Sequence, residues 1–88
     1  MKTAIVTIQN KVGLHARPAA MLVNAAKQQD CSVLLSKGER ETPLNSIIGL
    51  LRLGVKQNDT VVLRAEGPGE EEAITMLVAL IESKFGEE

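Results

Sequence analysis

The chain has 88 residues, 44% of them apolar, and a formal charge of -1, which excludes a disordered chain and leaves room for one domain with one modest core. There is no Trp, no Tyr and a single Phe, so the core must be aliphatic, and without aromatic platforms or a basic excess direct nucleic-acid binding is not expected. No apolar run reaches the roughly 18 residues of a membrane span, nothing at the start reads as a signal peptide, and the lone Cys31 can form no internal disulfide, so a reducing, cytoplasmic compartment without membrane insertion is expected.

The first element is "KTAIVTI", residues 2–8, an alternating β-branched strand with Ala4, Val6 and Ile8 on one face. "QNKVG" follows as a turn. From Ala16 to Gln28 the residues Ala19, Leu22, Val23 and Ala26 repeat at the spacing of an amphipathic helix. Pro18 fits its first turn, where a missing N–H costs nothing. "CSVLLS" reads as a second strand with Val33 and Leu35 on one face, "KGER" as a hairpin turn, and "RETP" as a short third strand whose Pro43 suits a sheet edge.

In "NSIIGLLRLG", Ser46 or Asn45 can cap a short helix and Gly54 can end it. "TVVLRAE" is a fourth strand, with Val61, Leu63 and Ala65 on one face. After "GPG" a long helix runs over residues 70–84, with Ile74, Leu77, Val78 and Ile81 as its apolar stripe and three glutamates in its first turn. The order βαββαβα gives an α+β fold: an open-faced β-sandwich, with a four-stranded antiparallel sheet covered on one face by three helices, spanning residues 1–88 as one domain.

The only histidine lies in "VGLHARPAA". His15 stands immediately before the first helix, whose leading N–H groups lack intrahelical partners and carry the positive end of the helix dipole. Arg17 adds a full positive charge. An unprotonated imidazole at this position carries a nucleophilic lone pair. A phosphoryl dianion on that ring would meet helix N–H donors and a guanidinium. There is no Gly-rich nucleotide cradle, no zinc constellation and no obvious carboxylate cluster for a metal in the sequence. His15 can therefore accept and pass on a phosphoryl group in a chain with little means to start the reaction. On the residues alone, a loop histidine with an ordinary hydrogen bond remains an equal reading.

"GLHARPAA" resembles the active-site signature of the HPr family, the histidine-containing phosphocarriers of the bacterial phosphoenolpyruvate-dependent sugar phosphotransferase system. "NSIIGLLRLGV" resembles the family's second-site segment, and "DTVVLRAEG" with the acidic helix start resembles its last strand and helix. The likeness runs in order over essentially the whole chain. It implies an HPr-like open-faced β-sandwich, with His15 phosphorylated through Nδ1, Arg17 contacting the phosphoryl group, and Ala16, Arg17 and Pro18 forming the phosphoryl-binding turn. It further implies enzyme I as donor, enzyme IIA domains as acceptors and no bound cofactor or metal. A phosphoryl carrier of this kind is not a stand-alone enzyme.

Ser46 matches the family's regulatory serine, the target in some bacteria of an HPr kinase/phosphorylase, after which the carrier serves a catabolite-control repressor. In the short helix, Leu50 and Leu53 are assigned to the core, while Ile47, Ile48 and Leu51 are left as an exposed docking patch. Packing of that patch beneath a neighbouring loop is the alternative. Ala20 and Asn24 depart from common family choices, and Gly49 costs its short helix roughly 1 kcal/mol against Ala; none of the three touches His15 or Arg17. Two other roles stay open: a nitrogen-related HPr paralogue and a mainly regulatory binding module in catabolite control. A monomer is expected, because a carrier must present one histidine to several partners.

Overall fold

Strand alternation sorts the side chains of the computed structural model, which describes residues 1–86, into two sheet faces. The strands are β1 (Lys2–Thr7), β2 (Ser32–Lys37), β3 (Arg40–Pro43) and β4 (Thr60–Glu66), and the helices are α1 (Ala16–Lys27), α2 (Ile47–Leu53) and α3 (Glu70–Glu82). The sheet order is β1-β4-β2-β3, antiparallel throughout. Val6, Val33, Leu35, Val61, Leu63 and Ala65 are buried on one face, against Ala19, Leu22 and Val23 of α1 and Ala73, Ile74, Leu77 and Ile81 of α3. The other face is open: Ile5 is 73% exposed. This is the expected open-faced α+β sandwich, and Pro43 lies on the expected edge strand, paired with Leu34.

Two boundaries differ from the sequence reading. The last helix stops at Glu82 rather than continuing to residue 84, because Lys84 and Phe85 take φ of 59° and 56°. This left-handed turn folds the only aromatic ring of the chain into the core, where Phe85 is 1% exposed. Burying a Phe contributes about 1.5–3 kcal/mol, the same order as the roughly 1–2 kcal/mol that each of the two non-glycine residues costs in this region. The first strand ends at Thr7 rather than Ile8. Ile8 nevertheless keeps two backbone bonds to the opposite turn, its N–H to Asp59 O at 2.9 Å and its carbonyl from Asn58 N–H at 2.7 Å.

That opposite turn links α2 to β4 and is held by charge. Lys37 Nζ donates to Gly54 O, the left-handed cap of α2, at 2.9 Å and lies 2.9 Å from Asp59 Oδ2. The same Asp59 oxygen accepts the Lys56 N–H at 2.8 Å. The Lys37 hydrogen bond, followed by the Lys56 N–H, lowers the Asp59 pKa from its ordinary 3.8. A depressed carboxyl contributes stability above its unfolded value and loses it as pH falls through the folded value. The thermal midpoint is therefore expected to drop as pH falls below about 4, and Asp59→Asn to show a shallower acid limb. Equal acid limbs in scanning calorimetry would contradict this role.

Candidate functional site

β1 and the α2–β4 turn together carry the segment before α1. Asn10 O accepts the Gly13 N–H at 3.0 Å, closing a turn in which Gly13 has φ of 73°. A Cβ on Gly13 would lie 2.6 Å from Val55 O and 2.7 Å from Lys56 Cα, so only glycine fits this close approach of two loops. Leu14 is buried, and its N–H donates to Val55 O at 3.0 Å. His15 follows as the N-cap of α1, with extended backbone at φ -93° and ψ -171°. Its imidazole makes no capping bond to the helix.

The first turn of α1 is arranged around this residue. His15 is half-buried, Ala16 and Arg17 are exposed and Pro18 is buried. The His15 carbonyl accepts the Ala19 N–H at 3.0 Å, the first bond of the helix. Pro18 has no N–H. The helix thus presents the N–H groups of Ala16 and Arg17, which lack intrahelical acceptors by position. No acidic residue stands in this first turn, so nothing on the helix itself offsets the positive end of its dipole or the Arg17 charge. His15, Ala16, Arg17 and Pro18 form one continuous turn that combines a half-buried imidazole, exposed helix-start N–H groups and a guanidinium.

The second predicted segment packs next to the first, since α2 contacts α1. Ser46 is the N-cap of α2, and its Oγ accepts the Gly49 N–H at 3.1 Å. Gly54 ends the helix in the left-handed conformation. Leu50 and Leu53 are core residues, whereas Ile47, Ile48 and Leu51 are 38%, 62% and 41% exposed, the division expected from the sequence. Gly49 is explained by space: a Cβ there would run into Thr42 Oγ1 on β3.

Four residues around the site escape a linear reading. Val12, 68% exposed, adds an apolar side chain three residues before His15. Its only signal is a valine inside a turn. Asn10 is fully buried beneath the turn, a role that the ordinary turn residue in "QNKVG" does not announce. Lys37 and Asp59 join only through the sheet, so their spacing carries no signal.

The sequence and the fold both have known relatives. The family model for the PTS HPr component phosphorylation site matches residues 2–83. The phosphocarrier protein HPr of Cupriavidus necator is 42% identical over 81 residues, covering 92% of this chain and 91% of that one. The phosphocarrier protein NPr of Escherichia coli is 42% identical over 84 residues, covering 94% and 93%. Among solved structures, HPr from Thermoanaerobacter tengcongensis superimposes with a TM-score of 0.96 at 50% identity, covering 100% of this chain and 99% of that one. A lone histidine at the mouth of an acid-free helix start, on this sheet and with these relatives, makes the chain a member of the HPr family of phosphotransferase-system phosphocarriers.

Proposed function

We propose that His15 takes a phosphoryl group from enzyme I and passes it to enzyme IIA domains in sugar uptake. The observation that carries this reading is the half-buried imidazole at the N-cap of α1, followed by exposed Ala16 and Arg17 with no carboxylate in the turn. The step is a displacement at phosphorus. The Nδ1 lone pair of a neutral His15 forms the N–P bond while the donor's bond to phosphorus breaks and its electron pair returns to the donor; the His15 Nε2 proton stays in place. The incoming charge is met by the Ala16 and Arg17 N–H groups and the Arg17 guanidinium. Pro18 fixes the backbone of this turn. Delivery to the acceptor reverses the same step, and no bound cofactor takes part.

Ile47, Ile48 and Leu51 are the docking patch in this reading, on the helix that packs against α1. Ile47→Asp should keep the fold, because the side chain is partly exposed and an acidic residue suits a helix start. It should raise the dissociation constant for enzyme I about tenfold, the effect of some 1.4 kcal/mol. Undiminished affinity by calorimetry would move the patch elsewhere. Ser46 is the proposed regulatory site. Its hydroxyl lies at the start of α2, where an added phosphate is electrostatically favoured and need not unfold the helix. An HPr kinase/phosphorylase and a catabolite-control repressor are the partners this implies. The carrier works as a cytoplasmic monomer of one domain.

The test of the relay is reconstitution: phosphoenolpyruvate, enzyme I, this chain and an enzyme IIA domain, with phosphoryl arrival on the acceptor as the readout. Arrival that depends on the chain supports the reading, and arrival without it removes the role. The equal identity to an NPr relative favours a second reading, a nitrogen-related branch. Faster phosphorylation by a nitrogen-branch enzyme I than by the sugar-branch enzyme would select it.

A further inference from the structure

The segment that delivers His15 to the start of α1 hangs on one carbonyl. Gly13 O accepts the side-chain Nδ2–H of Asn10 at 2.6 Å and the His15 N–H at 3.2 Å. Asn10 is fully buried, so this amide works away from competing water. The peptide group whose oxygen it fixes belongs to Gly13, whose conformation only glycine tolerates. The next residue, Leu14, is pinned by its N–H to Val55 O. Three carbonyls along this segment are thereby directed: Asn10 O to Gly13 N–H, Gly13 O to Asn10 and His15, His15 O to Ala19 N–H.

We propose that Asn10 is a positioning residue for phosphoryl transfer. Through the Gly13 carbonyl its side-chain amide sets the angle at which the His15 ring and the Ala16 and Arg17 N–H groups face the phosphoryl donor. The proposal rests on the phosphocarrier reading of His15. Asn10 touches no reacting atom; it acts on the backbone two residues before the nucleophile. In-line displacement at phosphorus demands close alignment, and a misplacement of about 1 Å can cost a hundredfold in rate. Without the Asn10 amide the Gly13–Leu14 peptide would keep its Leu14 N–H bond to Val55 O but lose the side-chain donor on its oxygen, so its tilt, and that of His15 after it, would be less closely fixed. The docking patch on α2 does not depend on this amide. Loss of Asn10 should therefore act on kcat and spare the KM of enzyme I for the carrier.

The deciding experiment measures kcat and KM for phosphorylation by enzyme I between pH 6 and 8.5, for the native chain, Asn10→Ala, Asn10→Asp and Val33→Ala. Val33 is buried at the far end of the sheet, paired with Ala65, and its truncation supplies a destabilised control. Asn10→Ala is expected to lose about tenfold in kcat with KM within about twofold, from imperfect alignment. Val33→Ala should keep the native kcat. Asn10→Asp carries the distinguishing signature. Its neutral carboxyl can still donate to Gly13 O, its carboxylate cannot, and burial raises the pH at which the two exchange. Its kcat relative to the native chain should be near one at the acid end and fall about tenfold or more towards the alkaline end. Should Asn10→Ala fail to fold, the Asn10→Asp series alone carries the comparison, with the acid-end protein as its own folded control. A native kcat in Asn10→Ala, a flat ratio for Asn10→Asp, or an equal kcat loss in Val33→Ala would each overturn the proposal. A native chain that takes up no phosphoryl group would instead overturn the carrier reading, and the proposal with it.

Discussion

Arg17→Ala is expected to slow phosphoryl uptake from enzyme I by about a hundredfold, the usual scale for removing one preorganised charge partner of a developing anion. The reason is local. Arg17 is exposed at the second position of α1 in a turn without carboxylates, and it supplies both a backbone N–H and a guanidinium. Alanine keeps the N–H and the helix propensity and removes the charge and the forked donors. The fold should be intact, since Arg17 is exposed. Arg17→Lys tests the two parts separately: it restores charge without the bidentate geometry and should recover only part of the rate. Stopped-flow rates for Arg17→Ala within twofold of native would remove Arg17 from the phosphoryl-binding turn.

Gly13→Ala is expected to cost about 3 kcal/mol of stability, combining the left-handed backbone with overpacking against a neighbouring loop. For a domain of this size that corresponds to a fall of roughly 15 °C in thermal midpoint. The added methyl has nowhere to go, because Val55 O and Lys56 Cα stand 2.6 and 2.7 Å from its position and both are backbone. The relief open to the chain is to part the two loops, which breaks the Leu14 N–H bond to Val55 O. Loss of stability and loss of transfer should therefore appear together. Gly38→Ala is the control: it too has positive φ, at 60°, but a Cβ there meets nothing within 4 Å. It should lose only the conformational part, roughly 1–2 kcal/mol. Equal losses at Gly13 and Gly38 would show that the close approach of the loops contributes nothing.

The features legible in the sequence are those whose cause is local. Alternation in "KTAIVTI" and "TVVLRAE" states which strand residues face the core, and Val6, Val61, Leu63 and Ala65 are buried accordingly. Ser46 and Gly54 announce the ends of α2 by their own chemistry, a hydroxyl acceptor and a left-handed backbone. The apolar excess in that helix could be divided into buried Leu50 and Leu53 and exposed Ile47, Ile48 and Leu51 because a short helix has only one inner face. What stayed hidden depends on residues far apart in the chain. The turn at Lys84 and Phe85 is set by the hydrophobic gain of one buried ring, which overrides helix periodicity. Gly49 looks like a cost to its helix until Thr42 is seen across the gap. Asn10 reads as a turn former, and only the packing of two loops turns it into the buried prop under His15.

Intact-mass spectrometry decides whether His15 is the phosphoryl acceptor. The chain and His15→Ala are each incubated with phosphoenolpyruvate, Mg²⁺ and an enzyme I proven active on a known carrier. An acid-labile gain of one phosphoryl group is expected on the native chain and none on His15→Ala. A native chain without the gain, or a gain that persists in His15→Ala, would contradict that role.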